Sequence, residues 1–221
     1  MLNSPHNPTG RVLSRSELEK IAQLCRDHDL VAVTDEVYAE LYFAPHEHVS
    51  LATMPRMRDR TITISSTSKT FSMTGWKIGF AYGHEKLMQP LRNLHQFTVF
   101  CSAQPLQWGM VAAFEQLDRS YFENFRKDYS KRRDLLCEIL RAAGFELAVP
   151  EGSYFICAHY GQLSDETDLQ FANTLVEKHG VSTIPISPFF LDSERASHRQ
   201  ILRFGFCKSE QIIQAAGERL M

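Results

Sequence analysis

Apolar residues return at helical spacing in Leu18, Ile21, Ala22 and Cys25, directly behind Ser14 and Glu17, a pair that spells a capping box. The segment ends at Asp27-His28-Asp29, so a helix of about a dozen residues is expected there. Three short runs then read as strands: Leu30 to Thr34, Thr61 to Ser65 and Gly79 to Gly83. Strand after helix after strand is the pattern of a layered α/β domain. The second half changes character. Phe122, Phe125, Tyr129, Leu136, Ile139 and Leu140 keep helical spacing from Arg119 to Ala143 across a charge-rich face, and Gly144 stands where a helix stop belongs. This predicts one long amphipathic helix bridging two domains. Strands are expected after it at Phe145 to Val149, Tyr154 to Ala158, Val181 to Pro185 and Ile201 to Phe206. A helix opens among them on the Thr167/Gln170 capping pair, and a last one begins near Ser209. The expected division is residues 1–120 as an α/β part and residues 121–221 as a small α+β domain.

Composition narrows the function classes. The chain has 221 residues, with 24 lysines and arginines against 26 aspartates and glutamates, a formal net charge of −2. A nucleic-acid or anionic-membrane binder would carry a basic excess, so neither partner is expected. The longest apolar runs, such as Leu30-Val31-Ala32-Val33, are too short to cross a bilayer. The opening residues Asn3, Ser4, Pro5 and His6 show no signal-peptide pattern. The five cysteines are odd in number, scattered and never spaced C-x-x-C, which disfavours a disulfide framework and a zinc knuckle. A reducing cytoplasm is the simplest home, and an organelle matrix would look the same.

Three polar clusters stand at strand ends or in the loops after them. Asn7-Pro8-Thr9-Gly10 taken alone is a turn. Asp35-Glu36-Val37-Tyr38 follows a buried strand, where acidic residues face the crevice of an open α/β sheet; its plainer reading is a cap with Tyr38 in the core. Ser65-Ser66-Thr67-Ser68-Lys69-Thr70, followed by Gly75-Trp76-Lys77-Ile78-Gly79, offers donors to an anion and an amine able to attack a carbonyl, or else is a solvated loop. An apolar strand ending in Asp35-Glu36 imitates the metal-holding pair of a P-loop ATPase, yet no G-x-x-x-x-G-K-[ST] loop accompanies it. His46 and His48 lack a third ligand at any recognisable spacing, so no metal site is expected and a solvated loop is the reading there.

In this order and spacing, Asn-Pro-x-Gly, Asp-Glu-x-Tyr, Ser-x-x-Lys-Thr-Phe-Ser with Gly-Trp-Lys-Ile-Gly, and Arg203 in Leu-Arg-Phe, the chain resembles the class I/II aminotransferases of pyridoxal phosphate fold type I. Lys69-Thr70-Phe71-Ser72, Thr74-Gly75-Trp76-Lys77 and His95 to Phe100 are most similar to the kynurenine/glutamine/methionine aminotransferase group, also known for cysteine-conjugate β-lyase activity. The resemblance implies an α/β fold: the C-terminal part of the cofactor-binding large domain, a mostly parallel sheet with helices, plus the small domain. It also implies relatives about twice as long, whose upstream half this chain lacks, and a homodimer.

The resemblance assigns roles residue by residue. Lys69 would form the Schiff base with pyridoxal 5'-phosphate and then act as the base at Cα, because a lysine amine is both nucleophile and, once its pKa is depressed, base. Asp35 would partner the pyridinium nitrogen, and Asn7 and Tyr38 the phenolic oxygen of the cofactor. Ser66 and Lys77 would hold the phosphate; many relatives carry arginine at the latter position, where lysine offers a point charge without the bidentate fork. Arg203 would clamp the substrate α-carboxylate, its plainer reading being a surface ion pair on an edge strand. Phe100 would line the side-chain pocket of the neighbouring subunit, or simply pack beside Val99, and Gly152-Ser153-Tyr154-Phe155 reads as structural. No arginine lies between Asn93 and Leu117, where aspartate-type enzymes recruit one, so the expected donors are neutral, aromatic or sulfur-containing amino acids and the acceptor a 2-oxo acid. A truncated, non-catalytic partner subunit is the competing expectation.

Overall fold

The computed structural model describes residues 1–221, and the chain divides into two compact units: Met1–His6 with Arg11–Asn124, and Asn7–Gly10 with Phe125–Met221. The first unit runs through strand β1 (Leu2–Asn3), helix α1 (Arg15–Asp27), β2 (Ala32–Asp35), β3 (Thr61–Ser66), the short helix α2 (Thr67–Thr70), β4 (Gly79–Gly83), α3 (Glu85–Thr98) and α4 (Gln104–Gln116). The sheet order is β1-β2-β3-β4, with β1, β2 and β3 parallel and β4 antiparallel to β3.

Helix α1 starts where its capping box puts it. Ser14 Oγ accepts from the Glu17 amide at 3.3 Å and Glu17 Oε2 accepts from the Ser14 amide at 2.9 Å, satisfying two of the orphan donors at the helix start. Its apolar stripe, Leu18, Ala22 and Cys25, is buried against Ala32, Leu51, Met54 and Met57. Strand β2 begins two residues later than the run of Leu30 to Thr34 implies, because the Leu30 amide still bonds the Cys25 carbonyl at the helix exit. Helix α4 turns Leu106, Met110 and Ala113 toward Phe71 and Ile78, whereas α3 leaves most of its apolar residues outside the core. Pro90 lies inside α3, Met88 alone is buried there, and Leu94 and Phe97 face solvent.

Helix α5 (Arg119–Ala142) begins in the first unit and continues into the second. The second unit then holds β5 (Glu146–Leu147), β6 (Phe155–His159), α6 (Asp168–His179), β7 (Ile184–Pro185), α7 (Ser193–Ser197), β8 (Ile201–Gly205) and α8 (Glu210–Leu220). The strands form an antiparallel sheet in the order β5-β6-β8-β7. Its core is aromatic: Phe145 meets Phe204 edge-on at 5.3 Å and Tyr160 stacks on Phe171 at 4.3 Å. Helix α6 opens on the Thr167/Gln170 capping box and closes on Gly180, left-handed at φ 62°. The outer strands are shorter than the sequence pattern implies, β5 and β7 having two paired residues each.

Residues 7–10, which a boundary near residue 120 assigns to the first domain, pack into the second unit. The Gly152 amide donates to the Gly10 carbonyl at 2.7 Å. Gly10 sits at φ +72°, and a Cβ there would fall 2.4 Å from the Pro150 Cβ. Both the left-handed backbone and the close approach require glycine. Gly10→Ala is therefore expected to destabilise the second unit by about 2 kcal/mol, left-handed strain plus the Pro150 overlap, read as a lowered midpoint in urea unfolding.

Candidate active site

The register of the first sheet decides which residues meet. Asn3 pairs with Asp35 and Asp35 with Ile64, so the carboxyl ends of β1, β2 and β3 lie along one edge. Strand β4 returns antiparallel with Ser66 opposite Gly79, which brings the loop carrying Lys77 back to that same edge. Crevices at the carboxyl ends of such strands are the usual ligand sites of open α/β sheets. Asp35, Tyr38, Ser66, Lys69 and Lys77 all come from this edge or from the turns that leave it.

The turn bearing Lys69 is held from both sides. Ser66 Oγ accepts from the Ser68 amide at 3.1 Å, capping α2, and donates to the Ile78 carbonyl at 3.1 Å. Thr67, fully buried, donates to the same carbonyl through its hydroxyl at 2.9 Å and its amide at 3.2 Å. Lys77, the residue before that carbonyl, is left-handed at φ 56°, an uncommon setting for a side chain of its length. Below the turn, Phe71 packs against Phe114 at 5.2 Å and Tyr121 at 5.9 Å, and Tyr121 Oη donates to the Thr70 carbonyl at 2.8 Å. Burial pushes the Tyr121 phenol pKa up, keeping it a neutral donor.

Asp35 is positioned through its backbone and its side chain. Its carbonyl accepts from Asn3 Nδ2 at 3.0 Å and the Ser4 amide at 3.2 Å, and its Oδ1 accepts from the Val37 amide at 3.1 Å. Behind it lies a network the sequence reading missed. Glu36, on the opposite face, is buried and accepts from Thr34 Oγ1 at 3.0 Å and Ser50 Oγ at 2.8 Å, while His48 Nε2 lies 3.0 Å from its Oε2. His48, expected in a solvated loop, has a side chain only 9% exposed. The reason is polar pairing: a buried carboxylate needs donors, and the 44–50 loop folds over to supply them. The readable signal was the alternation of buried Ala32, Thr34 and Glu36.

In the second unit, Arg203 Nη1 donates to Asn7 Oδ1 at 2.7 Å, so two residues 196 apart in sequence meet directly. The guanidinium carbon lies 4.0 Å from the Phe155 ring and 5.1 Å from the Phe189 ring. Arg203 thus sits among aromatics and not in an ion pair. Cys157, opposite Arg203 across the β6–β8 ladder, donates to the Pro8 carbonyl at 3.3 Å. Phe100, at the exit of α3, is left-handed and 76% exposed, and stacks on no other ring.

The chemistry of the first unit's donor set fits pyridoxal phosphate: an amine for its aldehyde, a hydroxyl and a second ammonium for its phosphate, a carboxylate for its ring nitrogen. No helix of the chain is long and apolar enough to cross a membrane.

The family model of aminotransferase class I and II matches residues 1–220. Among curated relatives, kynurenine–oxoglutarate transaminase 1 of Homo sapiens is 35% identical over 237 residues, the match covering 100% of this chain and 56% of the relative. Kynurenine–oxoglutarate transaminase 3 of Rattus norvegicus is 38% identical, covering 99% of this chain and 51% of the relative. Among solved structures, N-succinyldiaminopimelate aminotransferase from Mycobacterium tuberculosis superposes with a TM-score of 0.93 at 38% identity, over 99% of this chain and 56% of that one. An Escherichia coli protein with a methionine aminotransferase function gives 0.92 at 30% identity, over 99% and 56%. The chain spans about half the length of the curated relatives it matches.

Two measurements check this geometry. His48→Ala strips a hydrogen-bond partner from the buried Glu36 carboxylate and is expected to cost about 2 kcal/mol in chemical denaturation, as leaving a buried polar group short of a partner does. Burial pushes the Cys137 and Cys157 thiols up to about 11, the latter against the opposing pull of Arg203. At pH 8, iodoacetamide is therefore expected to modify the exposed Cys101 and Cys207 and to spare Cys137 and Cys157, as read by peptide mass mapping.

Proposed function

Since the chain belongs to the class I and II aminotransferases, a family of pyridoxal-phosphate-dependent enzymes, we propose that it transfers the amino group of a neutral aromatic or sulfur-containing L-amino acid to a 2-oxo acid. The observation that carries this reading is the gathering of Asp35, Ser66, Lys69 and Lys77 along one sheet edge, fixed by the strand register. Pyridoxal phosphate, when bound, supplies an aldehyde that condenses with amines and a protonated ring that takes up the electron pair released at the α-carbon.

The residues divide the work. Lys69 Nζ would hold the cofactor through its aldehyde carbon and, as a free amine, would take the proton from the substrate Cα. Asp35 would accept a hydrogen bond from the ring nitrogen and so favour its protonated state. Tyr38 Oη and Asn7 Nδ2 are the groups that would donate to the ring's phenolic oxygen. Lys77 Nζ would hold the phosphate as a point charge, and Ser66 Oγ would join it by turning its one proton from the Ile78 carbonyl to a phosphate oxygen. Arg203 receives the substrate α-carboxylate: with one N–H given to Asn7, four of its five remain for a bidentate partner. The missing arginine between Asn93 and Leu117 leaves no distal cation there for an acidic side chain. A substrate with a leaving group at Cβ would undergo β-elimination at the same site, the β-lyase reaction.

A homodimer is part of the proposal. Leu94, Phe97, Val99, Phe100 and Trp108 leave an apolar surface on the first unit, and a second copy would cover it, with Phe100 reaching the partner's substrate pocket. Five unbridged cysteines suit the cytoplasm. A second reading, a subunit that does not turn over by itself, draws on the share of its relatives' length the chain spans.

The purified chain mixed with pyridoxal phosphate is expected to develop an absorption band near that of lysine-bound cofactor, absent in Lys69→Ala and altered on adding an aromatic amino acid. Lys69→Ala is expected to lower turnover by about 10²- to 10⁴-fold, the usual worth of a general base. A folded chain with no Lys69-dependent band is instead the non-catalytic subunit.

A further inference from the structure

Asp168, at the start of α6, is the most deeply buried acid of the chain, with 0% exposure. Its Oδ2 accepts from the Ser187 amide at 2.6 Å, and its Oδ1 has no protein partner. The first turn of a helix favours an anion, but a carboxylate with so few donors is costly to bury, and Thr167 already caps α6. Capping therefore does not account for it. What the carboxylate adds is a tie across 19 residues to the turn that follows β7.

That turn lies beside Arg203. Ile184 in β7 pairs with Arg203 in β8, and the chain then bends through Ser187–Phe189, closed by the Phe189 amide on the Ile186 carbonyl and the Phe190 amide on the Ser187 carbonyl, both at 3.0 Å. Phe189 ends this turn with its ring 5.1 Å from the Arg203 guanidinium carbon, and Phe155 contacts the same group at 4.0 Å. A guanidinium held among aromatic faces loses less freedom when a carboxylate docks, because its plane is set beforehand.

We propose that Asp168 is a positioning residue for carboxylate recognition: by holding the Ser187 amide it fixes the turn that sets Phe189 over Arg203. The proposal rests on the reading of Arg203 as the substrate-carboxylate group. It differs from a merely structural role, which would lower stability without altering affinity for a carboxylate.

The test uses the chain incubated with pyridoxal phosphate and 3-phenylpropionate as the carboxylate probe, with 3-phenylpropionamide as its uncharged counterpart. Binding is followed by ligand-detected NMR, which needs no turnover. Arg203→Ala is expected to weaken the carboxylate at least about tenfold and leave the amide unchanged, as loss of a charged bidentate contact does. Asp168→Asn keeps the shape but replaces a charged acceptor by a neutral one. It is expected to raise Kd for the carboxylate about threefold and to speed exchange of the Ser187 amide about tenfold. Phe189→Leu is expected to weaken the probe by a similar factor. The double variant Asp168→Asn/Phe189→Leu should be no weaker than Phe189→Leu alone, since the acid acts through the ring. If Arg203→Ala leaves binding unchanged, the underlying reading of Arg203 fails. If Arg203→Ala weakens binding while Asp168→Asn does not, or the double variant is fully additive, the positioning role alone is overturned. Should the Asn variant fail to fold, the unaltered chain decides: saturating probe is expected to slow Ser187 amide exchange, and an unchanged rate overturns the proposal.

Discussion

The parallel pairing of β1, β2 and β3 is the constraint from which the first unit's chemistry follows. Because successive parallel strands run the same way, each releases its chain at the same edge, and polar residues placed just after each strand converge without being near in sequence. The antiparallel return of β4 then fixes a fourth segment there. The Ile78 carbonyl is the junction: it accepts from Ser66 Oγ, Thr67 Oγ1 and the Thr67 amide, so the turn carrying Lys69 and the loop carrying Lys77 are one hydrogen-bonded piece. A rigid turn of this kind is what the role proposed for Lys69 would require, since misplacing a reacting group by an ångström forfeits much of the gain from orientation.

Each unit contains a buried carboxylate next to a residue proposed for chemistry. Glu36 follows Asp35 and is satisfied by Thr34, Ser50 and His48. Asp168 reaches the turn that ends in Phe189 and is satisfied on one oxygen only. Buried charges of this kind add little net stability against an apolar replacement, and their value lies in fixing one arrangement over others. Glu36 fixes the loop that covers the back of β2, and Asp168 fixes the turn beside Arg203. The two differ in how complete the donor set is, which makes the Asp168 tie the more costly of the two to keep.

The second unit is built around aromatic packing, and its arginine belongs to that packing. Arg203 contacts Phe155 and Phe189 and gives one hydrogen bond to Asn7. The four-residue segment Asn7–Gly10 enters this unit through a glycine that no other residue can replace without strain, so the Asn7 amide is delivered by backbone geometry.

The sequence by itself determined the elements with strong local signals. The Ser14/Glu17 and Thr167/Gln170 capping boxes, the strand from Gly79 to Gly83 and the long helix from Arg119 appear where their spacing puts them, because caps, turns and helical stripes are satisfied by neighbours a few residues away. The motif order around Asn7, Asp35, Lys69 and Arg203 was legible too, and it led to the family. Helices α3 and α4 were not read from the sequence, since Pro90 inside α3 and apolar residues off the buried face, Leu94, Phe97, Trp108 and Phe114, blur their pattern. Nor was the burial of His48, the bond between Asn7 and Arg203, or the tie from Asp168 to Ser187. Those contacts join residues 12 to 196 positions apart, and only the pairing of strands and the closing of each core decide which distant polar groups must satisfy one another.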